Sequence, residues 1–134
     1  MNHVSEVLMN ISSRLNSLGV TWFLGGSAAL MVHDVDIVPH DLDIFIAGTS
    51  MGKVLSDFQI SSFDKNENGN YQLFRSGIKI EFIEPVHIEI LEKVNFQNMV
   101  IPVNSLKVEL TYYRSRPGKE AIVKQIEDKL VSQL

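Results

Sequence analysis

His40-Asp41-Leu42-Asp43-Ile44-Phe45-Ile46 is the stretch on which the fold turns. Its side chains alternate without interruption. Leu42, Ile44 and Ile46 point one way, while Asp41, Asp43 and Phe45 point the other, the period of a strand with one face against a core. Pro39-His40 breaks the chain ahead of it, and Gly48-Thr49-Ser50 forms a loop after it. Thr49 or Ser50 is then positioned to cap a helix through Val54, Leu55 and Phe58. Two carboxylates spaced two apart on a strand project side by side. They repel, and one is held protonated to higher pH unless a cation neutralises them. Hard oxygen donors of this kind suit magnesium or manganese, above all when substrate phosphates complete the coordination shell.

Working outward, Val4, Val7, Leu8, Ile11, Leu15 and Leu18 recur at helical spacing, and Gly19 ends the pattern as a C-cap glycine does. Val20-Thr21-Trp22-Phe23-Leu24 reads as a short strand running into Gly25-Gly26, with Ser27 placed to cap a helix over 28–33. Glycines at a strand-to-helix turn let backbone amides approach an anion closely. Downstream, 64–70 is polar and turn-rich, so a hairpin or loop is expected there. Tyr71-Gln72-Leu73-Phe74 and Ile78-Lys79-Ile80-Glu81-Phe82-Ile83 read as strands joined around Ser76-Gly77, and Pro85 ends the second. Alternation puts Glu81, rather than Glu84, on the face opposite Ile78, Ile80 and Phe82. If the two strands are neighbours, Glu81 joins Asp41 and Asp43 as a third carboxylate. Between Val86 and Val103 no period is clear apart from a brief strand at Val100-Ile101-Pro102-Val103. A helix begins near Asn104-Ser105, and 121–130 forms an amphipathic final one. The expectation is one α/β (α+β) domain over residues 1–134, a small mixed sheet with helices packed against it.

Of the 134 residues, 45% are hydrophobic and 21% charged, ordinary globular usage for a chain able to build its own core. The net charge of −4 makes a nucleic-acid acceptor unattractive. The absence of cysteine excludes disulfides and thiolate chemistry. The first residues carry neither a basic region nor a long apolar run, and no segment approaches the ~20 apolar residues of a membrane span, so a cytoplasmic protein is expected.

Leu24-Gly25-Gly26-Ser27-Ala28-Ala29-Leu30, then His40-Asp41-Leu42-Asp43-Ile44, then Ile80-Glu81-Phe82 together resemble the polymerase-β-like nucleotidyltransferase superfamily. The look is that of small antibiotic-type adenylyltransferases and related uncharacterised members. The resemblance spans roughly residues 20 to 84, and Ser105-Leu106-Lys107 and Arg116-Pro117-Gly118-Lys119-Glu120 extend it faintly. It implies transfer of a nucleoside monophosphate from a nucleoside triphosphate to an acceptor hydroxyl, on a small molecule or a protein. Asp41 and Asp43 would hold Mg2+ or Mn2+. Glu81 would bind the second metal or serve as general base. Ser27 and the amides of Gly25 and Gly26 would hold the phosphates, with His40 flanking the site. The short chain leaves a cleft open on one side, so a homodimer or a protein partner is expected to complete it.

Each of these features has a plainer reading. A lone Asp-x-Asp is usually a solvated strand end, Gly25-Gly26 a tight turn without a ligand, and Glu81 an edge-strand charge. Their order in one chain favours the site. Trp22 and Phe23 read as core, and His33 and His87 as structural or surface residues, with His3 in a frayed terminus. Tyr112, Tyr113, Arg114 and Arg116 form the one aromatic-basic cluster, read here as a solvated helix end. The alternative function is a non-catalytic module of the same fold, such as one partner in a toxin–antitoxin-type pair.

Overall fold

The computed structural model describes residues 3–86, 88 and 91–134. His87 lies outside them. Helix α1 (His3–Leu18) leads through Gly19, whose φ of +68° is the left-handed C-cap, into β1 (Trp22–Gly25). Helix α2 (Gly26–Val32) follows directly, then β2 (Asp41–Ile46) and α3 (Gly48–Asp57). A 3-10 turn at Ser62–Asp64 precedes the hairpin β3 (Tyr71–Arg75) and β4 (Ile78–Ile83). A second hairpin, β5 (Leu91–Phe96) and β6 (Met99–Asn104), feeds α4 (Leu106–Arg114) and α5 (Glu120–Ser132).

The six strands make one mixed sheet in the order β3-β4-β2-β1-β6-β5. Strands β1 and β2 are antiparallel, whereas β2–β4 and β1–β6 are parallel. One face of the sheet is dry. Leu42, Ile44, Ile46, Ile80 and Phe82 have no exposed surface and pack with Leu8, Ile11 and Leu15 of α1 and Val54 of α3. Burial of one such side chain stabilises by about 1.5–3 kcal/mol. A second cluster joins Leu30 of α2 to Leu106, Leu110 and Tyr113 of α4 and Ile126 of α5, which anchors the C-terminal helices beside the other face.

The central strands run as their alternation predicts, and Ser105 caps α4 by accepting a hydrogen bond from the Val108 N–H at 3.2 Å. Three local expectations change. Helix α2 starts at Gly26 with Gly25 as an extended N-cap, so Ser27 lies inside the first turn and caps nothing. Ala47, not Thr49 or Ser50, is the N-cap of α3. His3 is helical and its Nε2 lies 2.8 Å from the Ser76 carbonyl oxygen, which ties α1 to the β3–β4 turn. Strand β5 is new: Glu92, Lys93 and Asn95 hide its period, and the Gln97-Asn98 turn reaches positive φ at both residues without a glycine.

Candidate active site

The wet face of the sheet gathers the acids. Parallel pairing of β2 with β4 sets Asp41 opposite Lys79 and Asp43 opposite Glu81. Lys79 Nζ lies 3.8 Å from Asp41 Oδ2 and 3.4 Å from Glu81 Oε1, one lysine between two carboxylates. Glu81 is buried and accepts a 2.8 Å hydrogen bond from Asn70 Nδ2, so the polar 64–70 loop folds back onto the site. That loop is braced from within, the Asn66 side chain accepting from the backbone N–H groups of Asn68 and Asn70.

Antiparallel pairing with β1 puts Gly25 opposite Asp43. Gly26 carries φ +67°, and a Cβ there would come within 2.7 Å of Asp43 Oδ2, so glycine is required by both backbone and space. Gly25 is required by packing: a Cβ would meet Phe45 Cε2 at 2.6 Å and Asn104 Nδ2 at 3.2 Å. Phe45 itself stacks on Phe23, the rings 4.8 Å apart and parallel within 2°.

Behind the Gly-Gly turn stands a carboxylate with no sequence signal. Glu109 of α4 is buried, and its Oε2 accepts from Asn104 Nδ2 at 2.9 Å while Oε1 finds no partner among the described residues. The Asn104 backbone carbonyl in turn lies 2.8 Å from Nε2 of buried His33. Burial pushes the Glu109 carboxyl up to about 7, against the pull of hydrogen bonds from Asn104 and the Gly26 backbone amide, with Asp43 adding repulsion. Burial likewise raises Asp43 to about 6, reinforced by the charges of Asp41 and Glu81 and opposed by Lys79. Tyr113 rises to about 12, through burial and then the Glu109 charge.

These groups share one cleft of about 780 Å³, within the range of small-molecule sites. Asp41, Asp43 and Glu81 line it together with Gly26, Ser27 and His40. Gly25 does not line it, being sealed beneath Phe45. The facing wall comes from α4, with Tyr112 and Tyr113, and from the corner between α4 and α5, with Arg116 and Lys119. Three members of the aromatic-basic cluster, Tyr112, Tyr113 and Arg116, therefore line the cleft, while Arg114 lies outside it, paired with Glu127 at 2.7 Å. Tyr113 is buried, its ring edge-on to Tyr112 at 5.3 Å, and the Arg116 guanidinium sits 4.6 Å over the Tyr112 ring.

Among the described residues no three His, Asp or Glu side chains converge tightly enough to hold an ion unaided. Magnesium does not ask for that. It commonly takes one or two carboxylates and fills the remaining positions with water and substrate phosphate oxygens. Asp41 and Asp43 fit that role: hard oxygen donors on one strand face, with Asp43 under repulsion from two neighbouring carboxylates that a cation would relieve.

Several solved structures share this architecture. A Thermotoga maritima protein assigned as a nucleotidyltransferase superposes with a TM-score of 0.72 at 22% identity, covering 98% of this chain and 96% of its own. The chain has the nucleotidyltransferase fold. The lincosamide antibiotic adenylyltransferase LnuA, solved with lincomycin, matches at TM-score 0.69 and 14% identity over 90% of this chain and 94% of its own. ANT(2″)-Ia, solved with adenylyl-2″-tobramycin, matches at 0.70 and 10% identity, covering 99% of this chain and 91% of its own. No family model and no curated protein matches the sequence. Among the described residues no helix is long and apolar enough to cross a membrane.

Proposed function

We propose that the protein is a metal-dependent nucleotidyltransferase that moves a nucleoside monophosphate from a nucleoside triphosphate to the hydroxyl of a small acceptor. The observation that carries this is the register of β2 and β4, which turns Asp41, Asp43 and Glu81 into a single cleft. The small acceptor is favoured by the net charge of −4 and by the lincomycin and adenylyl-tobramycin bound to two proteins of the same fold.

In this reading Asp41 and Asp43 hold magnesium, which when bound neutralises the developing charge and aligns the triphosphate for in-line displacement. The acceptor oxygen forms a bond to the α-phosphorus as the bond to the departing pyrophosphate breaks. Glu81, fixed by Asn70 and Lys79, takes the proton from the acceptor hydroxyl. Gly26 keeps Asp43 in place by leaving room for its carboxylate. The 64–70 loop narrows the cleft on one side, and α4 and α5 close the other.

The test is magnesium-dependent pyrophosphate release from ATP and GTP across a panel of small hydroxylated acceptors. Wild type should turn over with at least one acceptor, and Asp43→Asn should not. Glu81→Gln should still bind the nucleotide with magnesium yet lose at least about 100-fold in turnover, the lower end of what a general base contributes. Turnover by Asp43→Asn equal to wild type would refute the assignment.

A further inference from the structure

The acids of the cleft have a cation of their own. Lys79 stands inside the sheet, its backbone opposite Asp41 of β2 on one side and Phe74 of β3 on the other. Two ladders thus fix its backbone, and alternation along β4 turns its side chain to the face that Glu81 uses. From there Nζ reaches Asp41 Oδ2 at 3.8 Å and Glu81 Oε1 at 3.4 Å. The other ion pairs of the described residues involve acids outside the cleft: Asp34, Asp57, Glu92, Glu127 and Asp128.

The approach has a direction. Asp41, Asp43 and Glu81 line the cleft and Lys79 does not, so the ammonium meets the acids from the flank and leaves their cleft side to a ligand. Glu81 is engaged at both oxygens, Oε1 by Lys79 and Oε2 by the Asn70 amide at 2.8 Å. Asp43 makes no ion pair among the described residues. The pull of Lys79 reaches it through space, against burial and the charges of Asp41 and Glu81. A fixed ammonium at this place acts with opposite sign on two ligands. It repels a free divalent cation drawn to the carboxylates, and it attracts a metal–triphosphate complex, whose net charge is negative.

We propose that Lys79 is a built-in counter-cation that makes the site select a divalent metal already carried by a polyphosphate over the free ion. The proposal rests on the nucleotidyltransferase reading and deepens it. Lys79 is a positioning residue in this role, acting through Asp41 and Glu81. Without a ligand it also offsets the mutual repulsion of the three carboxylates.

Manganese, alone and with a non-hydrolysable ATP analogue, tests this on wild type, Lys79→Met, Lys79→Arg and Asp41→Ala/Asp43→Ala. Free ion is counted by electron paramagnetic resonance at low salt and pH 8, well above the value of about 6 to which Asp43 is raised. Methionine keeps an unbranched stem without the charge, and Lys79 is partly exposed, so the variant should fold, which melting curves check. Lys79→Met should bind manganese alone about tenfold tighter, the effect of one unit charge on a divalent ion under water-like screening. The same variant should bind the manganese–analogue complex no tighter than wild type, and Lys79→Arg should match wild type with both ligands. Manganese affinity unchanged in Lys79→Met, both ligands tightening alike, or Lys79→Arg behaving as Lys79→Met would overturn the proposal. Any of these, beside binding that Asp41→Ala/Asp43→Ala abolishes, would leave the nucleotidyltransferase reading standing. A folded wild type that binds neither ligand would overturn both.

Discussion

Asp43 is where single residues matter most. Its carboxyl is raised from 3.8 to about 6, so the ionised form is disfavoured in the folded protein relative to the unfolded chain. Its contribution is fully present below about pH 4, declines as pH rises toward 6, and is absent above. Asp43→Asn should therefore raise stability by about 1–3 kcal/mol at pH 8, one pKa unit being worth ~1.4 kcal/mol. The gain should shrink as pH falls to 4, read from urea midpoints across pH. Equal midpoints at pH 8 would show that Asp43 is not under strain. Gly26 and Gly52 make a second contrast. Gly26→Ala forces a left-handed alanine against Asp43 and should destabilise by more than about 1–2 kcal/mol. Gly52→Ala, inside α3 with open space around it, should stabilise by about 0.5–1 kcal/mol. Both are read from urea denaturation. A Gly26→Ala midpoint equal to wild type would mean the turn does not need its present backbone.

At the scale of elements, legibility followed periodicity. Strand β2 was readable because one face is fully buried and the other carries the acids, so its burial alternates strictly, and β4 was readable because Ile78, Ile80 and Phe82 share the face opposite Glu81. Lys79 was readable too, by the same alternation, since it shares a face with Glu81. Strand β5 was not, because an edge strand rich in Glu92, Lys93 and Asn95 has no reason to alternate in hydrophobicity. Its turn carries φ of +51° at Gln97 and +67° at Asn98. Asn98→Gly should relieve the second and raise the thermal midpoint, a relief of about 1 kcal/mol being worth ~4 °C for a domain of this size. An unchanged midpoint would place the strain elsewhere. Ser105→Ala should cost about 1 kcal/mol by removing the cap of α4. The same helix carries Glu109, Tyr112 and Tyr113, so nucleotide affinity should fall along with the melting temperature. Melting that drops with affinity untouched would separate the cap from the site.

For the molecule as a whole, the acids of the cleft were legible in local alternation, whereas Arg116 and Lys119 entered the sequence reading as an extension of the resemblance and Glu109 not at all. Asp41, Asp43 and Glu81 lie on strands whose pairing a short local pattern reveals. Glu109, Arg116 and Lys119 reach the cleft only because α4 and α5 fold back through Leu30, Leu110 and Ile126, contacts far apart in sequence. On the helix alone Glu109 is one more polar residue, and its partner Asn104 is the last residue of a hairpin that periodicity missed. The result is a cleft with an acidic floor and a basic facing wall, the polarity expected of a site for a metal-bound nucleotide.

The central claim is that Asp41 and Asp43 bind a nucleotide through magnesium. Titration calorimetry of a non-hydrolysable ATP or GTP analogue, with and without magnesium, on wild type and on Asp41→Ala/Asp43→Ala tests it most directly. The account predicts binding that needs magnesium and disappears in the double variant while the fold, followed by circular dichroism, persists. Absence of binding by a folded wild type, or binding indifferent to magnesium and to both aspartates, would contradict it and turn the search toward a protein partner.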